Sequence, residues 1–301
     1  GVDRMDAVVK PPGTDSRRPP TTAPRATHLP SQATIPKPHP MSNQSAPPHT
    51  PAPETTTDLV LLHGWGMNSA IWNGVPEPTW NGLTQHRIDL PGHGDSPFPT
   101  GRDYLWGWAE ACLDAAPERA VWVGWSLGGL IALAAALHAP KRVAGLILLT
   151  ATPRFTQATD WTPAMPEATL AQFHDGLLAD LSGTLNRFLA LQTRGSDSAR
   201  ETLRTLKQEL AARPEPKPAA LALGLDLLRE EDLRPQLPDI RCPTLWLFGQ
   251  NDTLVPARVA ERIELLMPEA QVETIAGAAH APHISHPHET GRAIRTFLDA
   301  L

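Results

Sequence analysis

The sequence predicts an α/β protein: a mostly parallel sheet with helices on both faces and a helical insertion late in the chain. Three observations carry this. Short, fully apolar runs alternate with segments of helical period, as strands buried on both faces of a parallel sheet require. One long stretch, residues 154–238, has helical spacing and no convincing strand. A G-x-S-x-G sequence joins one apolar run directly to one helical segment.

The first 57 residues stand apart. They hold 13 of the 33 prolines and no Phe, Trp or Tyr. Such a segment has too little apolar surface to offset its ordering entropy, so 1–57 is expected to be a disordered, Pro-rich extension. It lacks the continuous apolar core of about 7–15 residues that a secretory signal needs. The run Leu59–Leu62 then reads as a buried strand, stopped at His63-Gly64. Arg87–Leu90 reads as a second, stopped by Pro91-Gly92. Residues 103–115 are helical, Ala120–Val123 is a third strand, and Leu127–Leu137 is a buried helix. Val143–Thr150 is a fourth strand. Within the insertion, Leu181, Leu185, Phe188 and Leu189 fall at helical spacing, as do Leu203, Leu206 and Leu210. Thr244–Phe248 is a fifth strand, followed by a helix over 258–266, a strand over 272–275 and a closing helix from His288 to Leu301. The core is therefore 58–153 with 239–301, and 154–238 is a helical lid over the carboxyl ends of the strands, where α/β proteins place their sites.

Composition narrows the function. The chain has 301 residues with 26 basic and 32 acidic side chains, a net charge of −6, which argues against a nucleic-acid partner. No apolar run approaches the ~18 residues of a membrane span. The two cysteines, Cys112 and Cys242, read as packing residues rather than a disulfide scaffold or zinc site. The expectation is a cytoplasmic monomer with no metal and no organic cofactor.

The chemistry centres on Gly124-Trp125-Ser126-Leu127-Gly128. Preceded by a strand and followed by a buried helix, this sequence fits a strained turn that lifts the Ser126 hydroxyl above the sheet beside a helix N-terminus. A serine hydroxyl needs a base, and the base needs an acid to orient it. Asp252 lies just beyond the fifth strand and is the candidate acid, although Asn251-Asp252 is also good turn chemistry. Four histidines follow: His280, His283, His286 and His288. His280 comes first, after the small residues Gly277-Ala278-Ala279, and is the preferred base; the others read as loop or capping residues. The Leu127 amide and the Trp65 amide, the latter in His63-Gly64-Trp65-Gly66 after the first strand, are the candidate oxyanion donors. His63 reads as a loop brace, and Pro91-Gly92-His93-Gly94-Asp95-Ser96 as a structural loop.

These features resemble the α/β-hydrolase superfamily over residues 58–301. The segments Leu61–Asn68, Val123–Leu130, Arg187–Thr193 and Ala278–Pro287 resemble more narrowly the pimeloyl-[acyl-carrier protein] methyl ester carboxylesterases. That resemblance implies a Ser126–Asp252–His280 triad, with Trp65 and Leu127 as oxyanion and substrate contacts. It implies that Phe188, Leu189, Ala190, Leu191 and Gln192 touch an acyl chain, and that the substrate is a methyl ester carried on acyl-carrier protein. The 1–57 extension departs from the family pattern.

A carrier partner also fits the charges. From 187 to 207 the basic residues Arg187, Arg194, Arg200, Arg204 and Lys207 outweigh Asp197 and Glu201, a net of +3. Arg200, Arg204 and Lys207 share one helical stripe. Together with Arg187 they form a candidate docking face for an acidic carrier protein, although a solvated helix face has the same pattern. Two other functions fit the fold: a general carboxylesterase on small soluble esters, and a non-catalytic receptor holding a ligand in the pocket.

Overall fold

The computed structural model describes residues 57–301, so the expected Pro-rich extension lies outside the described residues apart from Thr57. The described chain runs β1 (Thr57–Leu62), β2 (Leu83–Ile88), α1 (Leu105–Ala115), β3 (Ala120–Trp125), α2 (Leu127–His138) and β4 (Val143–Leu149). Four helices follow without an intervening strand: α3 (Glu167–Ala179), α4 (Leu181–Thr193), α5 (Ala199–Ala211) and α6 (Pro218–Glu230). Then come β5 (Thr244–Gly249), α7 (Val259–Leu266), β6 (Gln271–Ile275), α8 (Pro282–Ser285) and α9 (Pro287–Asp299).

The six strands form one sheet in the order β2-β1-β3-β4-β5-β6, and every pairing is parallel. The strand side chains explain why the runs are apolar throughout. Val60, Leu62, Trp122, Leu146, Leu148, Trp246 and Phe248 join one buried cluster with residues of α1, α2 and α7. Their alternates, Leu59, Leu61, Val121, Val123, Ile147, Leu149, Leu245 and Leu247, join a second cluster with Ile294 and Phe297 of α9 and Ile71 and Trp72. Both faces are covered, so neither set can be polar.

Topology then places the site. The chain leaves β1 toward β2 on one side and returns to β3 on the other. The loops after β1 and β3 therefore diverge and leave a crevice at the carboxyl ends of these strands. Those two loops carry His63–Gly66 and Ser126.

Some expected boundaries shift. The second strand begins at Leu83 and ends at Ile88, rather than spanning 87–90. It pairs only with β1, so as an edge strand it tolerates Thr84, Gln85, His86 and Arg87, which break an apolar-run pattern. The closing helix starts at Pro287, and the single turn α8 before it takes His283 out of the expected loop and buries it. Thr150 leaves β4 with φ +44°.

Candidate active site

The turn between β3 and α2 is built around close backbone contact. A Cβ on Gly124 would lie 2.4 Å from the Gly128 carbonyl oxygen, and one on Gly128 would lie 2.5 Å from the carbonyl oxygens of Leu62 and His63. Side chains at either position would force α2 away from β3 and from the end of β1. With both absent, Ser126 adopts φ 54° and ψ −115°, a strained conformation for a residue with a Cβ. Its amide donates to the Leu149 carbonyl at 2.9 Å, which ties the turn to β4.

Ser126, His280 and Asp252 meet. Ser126 Oγ lies 2.7 Å from His280 Nε2, and His280 Nδ1 lies 2.8 Å from Asp252 Oδ2. All three are buried. The other carboxylate oxygen, Asp252 Oδ1, accepts the amides of Leu254 at 2.8 Å and Val255 at 3.1 Å. The carboxylate is thus held by the backbone on one side and presents its free oxygen to the imidazole. Asp252 thus makes the turn hydrogen bonds read for Asn251-Asp252 and also meets the imidazole. His280 is pinned through its own backbone: its amide donates to Gln192 of α4, and its carbonyl accepts from Trp125 Nε1 and Thr150 Oγ1, each at 2.8 Å. With Nδ1–H donated to Asp252, Nε2 is free to accept the serine proton.

The loop after β1 is braced by two histidines. Leu90 N–H donates to His63 Nε2 at 2.9 Å, so the ring proton sits on Nδ1 and is donated to the Gly64 carbonyl at 2.7 Å. A trans peptide points its C=O and N–H in opposite directions. Anchoring the Gly64 carbonyl therefore aims the Trp65 N–H away from His63. Gly66 N–H donates to His93 Nε2 at 3.1 Å, and His93 Nδ1 donates to the Pro91 carbonyl at 3.0 Å. Burial pushes His63 down to about 4, and burial with the nearby His63 pushes His93 down to about 3, so both work as neutral braces. Asp89 extends the brace by accepting the amides of Ser69 at 2.7 Å and Asp95 at 3.0 Å. This is the physical content of the Pro91–Ser96 loop. Among the described residues, the amides of Trp65 and Leu127 donate to no protein acceptor. Leu127 opens α2, where the first-turn amides have no intrahelical partner.

The insertion covers this crevice. Trp65 Nε1 donates to the Leu221 carbonyl of α6 at 2.9 Å, and the Trp65 ring lies 4.6 Å from Phe188 of α4. Phe173 of α3 meets Phe188 edge-on at 5.1 Å. Of the five α4 residues expected on an acyl chain, Phe188, Leu189 and Gln192 are buried, Leu191 is half-buried and Ala190 is exposed. Successive helical residues turn by about 100°, so these five spread around α4 rather than sharing one face. Leu189 packs in the cluster on the Trp125 side, whereas Phe188 sits in the cluster with Trp65.

Arg187, Arg200, Arg204 and Lys207 are all exposed. Arg187 Nη2 donates to Thr184 Oγ1 at 2.9 Å. Sequence reasoning gave the Pro91–Ser96 loop a structural role without naming what it and Asp89 hold: His93 holds Gly66, 27 residues earlier, and Asp89 holds Ser69, 20 residues earlier. It also missed His283, fully buried between Trp72 at 5.1 Å and Trp125 at 4.8 Å with neither ring nitrogen hydrogen-bonded. Among the described residues, no cluster of three or more His, Cys, Asp or Glu side chains is arranged to hold a metal ion. Nor is any helix among them long and apolar enough to cross a membrane.

The arrangement is that of an acyl-transfer site, and known proteins agree with it. The α/β-hydrolase fold family matches residues 58–287. A pimeloyl-[acyl-carrier protein] methyl ester esterase of Edwardsiella ictaluri is 46% identical over 245 residues, covering 80% of this chain and 93% of that protein. Proteins of the same name from Photobacterium profundum and Xanthomonas oryzae pv. oryzae are 43% and 44% identical, each over 80% of this chain and 94% of their own length. Among solved structures, the esterase EaEST of Exiguobacterium antarcticum superposes with a TM-score of 0.71 at 22% identity, covering 81% of this chain and 92% of that one. A bromoperoxidase from Bacillus anthracis superposes with a TM-score of 0.72 at 21% identity over the same shares, so these two likenesses show the fold alone. The chain belongs to the α/β-hydrolase fold family and, within it, to the group of the pimeloyl-[acyl-carrier protein] methyl ester esterases.

Proposed function

We propose that this chain is a serine carboxylesterase that hydrolyses the methyl ester of pimeloyl-[acyl-carrier protein], releasing methanol and the free pimeloyl carrier for biotin biosynthesis. The observation that carries the chemistry is the 2.7 Å contact of Ser126 Oγ with an imidazole whose other nitrogen is held by Asp252. The substrate assignment is supported by relatives at 42–46% identity that bear this name.

In the mechanism, His280 Nε2 takes the Ser126 proton as Oγ attacks the ester carbonyl. The amides of Trp65 and Leu127 receive the oxyanion, and Asp252 orients the imidazolium. The tetrahedral intermediate collapses with the C–O bond to methoxide breaking, and His280 returns the proton to give methanol. Water, deprotonated by the same histidine, attacks the acyl-serine and regenerates the Ser126 hydroxyl. The reading needs no metal or organic cofactor.

In this reading residues 154–238 act as a lid on a core of 58–153 and 239–301. Phe188, Leu191 and Gln192 line the acyl chain, Leu189 backs them from the Trp125 side, and Arg187, Arg200, Arg204 and Lys207 receive the acidic carrier. The charges support docking: among the described residues no carboxylate forms an ion pair with Arg200, Arg204 or Lys207. The protein acts as a cytoplasmic monomer on a carrier-bound substrate, without nucleic-acid or membrane partners.

The test compares kcat/KM on pimeloyl-carrier methyl ester with that on a free short-chain aryl ester. Ser126→Ala serves as the control and should lose almost all turnover. A strong preference for the carrier ester, lost on Arg200→Glu/Arg204→Glu and weakened by salt, is expected. Equal rates on both esters, insensitive to salt, would reduce the enzyme to a general carboxylesterase. Retained turnover in Ser126→Ala would remove the serine from the mechanism.

A further inference from the structure

We infer that Gly224 is a specificity-determining residue: it is the point at which lid helix α6 comes to rest on Trp65 and Leu127, and its missing side chain sets how closely the lid shuts over the acyl chain. The inference rests on the reading of Ser126 as the nucleophile with those two amides as its oxyanion donors.

Gly224 lies in the middle of α6, where glycine is a poor helix former beside alanine. It is buried, so solvent exposure does not explain it. Its surroundings do. A Cβ at 224 would stand 2.7 Å from Trp65 Cδ1, 3.1 Å from Trp65 Nε1 and 3.4 Å from Leu127 Cδ2. One backbone position of the lid thus touches both residues whose amides face the developing oxyanion.

An added methyl group has to displace one partner, and the indole is the harder to move. Trp65 is 1% exposed, and its Nε1 donates to Leu221, one turn earlier on the same helix. Phe188 packs against its ring, with Phe173 behind. The first turn of α6 is seated as well: Lys217 N–H donates to the Gly92 carbonyl at 2.9 Å, and Ala220 packs directly on Gly92. The relief open to the structure is for α6 to lift about this first turn, widening the slot above Ser126. A short acyl group needs the triad and the oxyanion amides. A long one also needs the lid walls, and those walls recede when α6 lifts.

The experiment measures the ratio of kcat/KM for p-nitrophenyl hexanoate to that for p-nitrophenyl acetate, in wild type and Gly224→Ala. The ratio is expected to fall about tenfold in Gly224→Ala, mainly through the KM for the hexanoate. Adding Phe188→Leu, which gives the indole room to yield, should recover part of the Gly224→Ala loss measured against Phe188→Leu alone. A folded Gly224→Ala protein with an unchanged ratio overturns the inference. If Gly224→Ala alone does not fold, the double variant decides: a folded double variant whose ratio lies below that of Phe188→Leu supports the contact, and failure to recover folding overturns it. Ser126→Ala on the same esters separates the two levels, since turnover surviving there removes the catalytic reading itself, whatever Gly224→Ala does.

Discussion

Single hydrogen bonds decide which proton sits where in this site. His280 turns Nδ1 to Asp252 and Nε2 to Ser126, and in the proposed mechanism Asp252 selects between the tautomers. An Asn at 252 could still accept the Leu254 and Val255 amides through its oxygen, leaving its NH2 facing Nδ1. The imidazole would then carry its proton on Nε2, toward Ser126, where an acceptor is needed. Asp252→Asn is therefore expected to fold normally and lose about 10³–10⁴-fold in kcat on an aryl ester, as loss of the correct tautomer does elsewhere. A drop below tenfold would show that Asp252 does not set the tautomer. In the proposed mechanism His63 plays a comparable part for the oxyanion. Removing one oxyanion donor costs about 10²–10³ in kcat, and His63→Phe frees the peptide that carries the Trp65 amide. Its kcat is expected to fall by about tenfold or more with KM little changed, read beside the melting temperature because Leu90 also loses its acceptor.

At the scale of elements, α5 separates a packing face from the proposed docking face. Leu206 is fully buried against the α9 side of the sheet, whereas Arg200, Arg204 and Lys207 on the same helix face outward. Leu206→Ala should cost about 2–5 kcal/mol in urea unfolding. Arg204→Ala should change stability by less than about 0.5 kcal/mol. If both cost the same, the stripe is structural. This helix also shows what the sequence made legible: its Leu203, Leu206, Leu210 spacing marks the buried face without any knowledge of the partner. The meeting of Ser126, Asp252 and His280 was legible because each lies in the loop that follows a strand of the parallel sheet. What escaped has its cause at long range. β2 begins earlier than an apolar run suggests because an edge strand has only one neighbour. Gly224 looks like a weak spot in a helix until Trp65, over 150 residues away, is placed beneath it. His283 reads as a loop residue until α8 turns it between two tryptophans.

At the scale of the whole fold, three buried histidines among the described residues couple stability to pH in the same direction. Burial is the main cause in each case: His63 is pushed down to about 4, and His93 and His283 to about 3. In the unfolded chain each titrates near 6.5. Between these values the unfolded state binds more protons than the folded one, so stability rises with pH and is lost as pH falls below about 6.5. Each histidine contributes a slope of about 1.4 kcal/mol per pH unit within its window. The three differ in what replaces them. His63 and His93 accept backbone amides, so removing either leaves a buried donor unsatisfied. His283 has no hydrogen-bond partner at either nitrogen and lies against two indole rings. Phenylalanine keeps that shape and brings no proton to exclude. His283→Phe should therefore stabilise the protein at pH 5 by about 2 kcal/mol more than at pH 7.5, because at pH 7.5 the unfolded histidine is already neutral. Urea unfolding of wild type and variant at both pH values measures the difference. Equal shifts at pH 5 and pH 7.5 would mean that His283 takes up its proton inside the folded protein, with a partner that its packing between Trp72 and Trp125 does not provide.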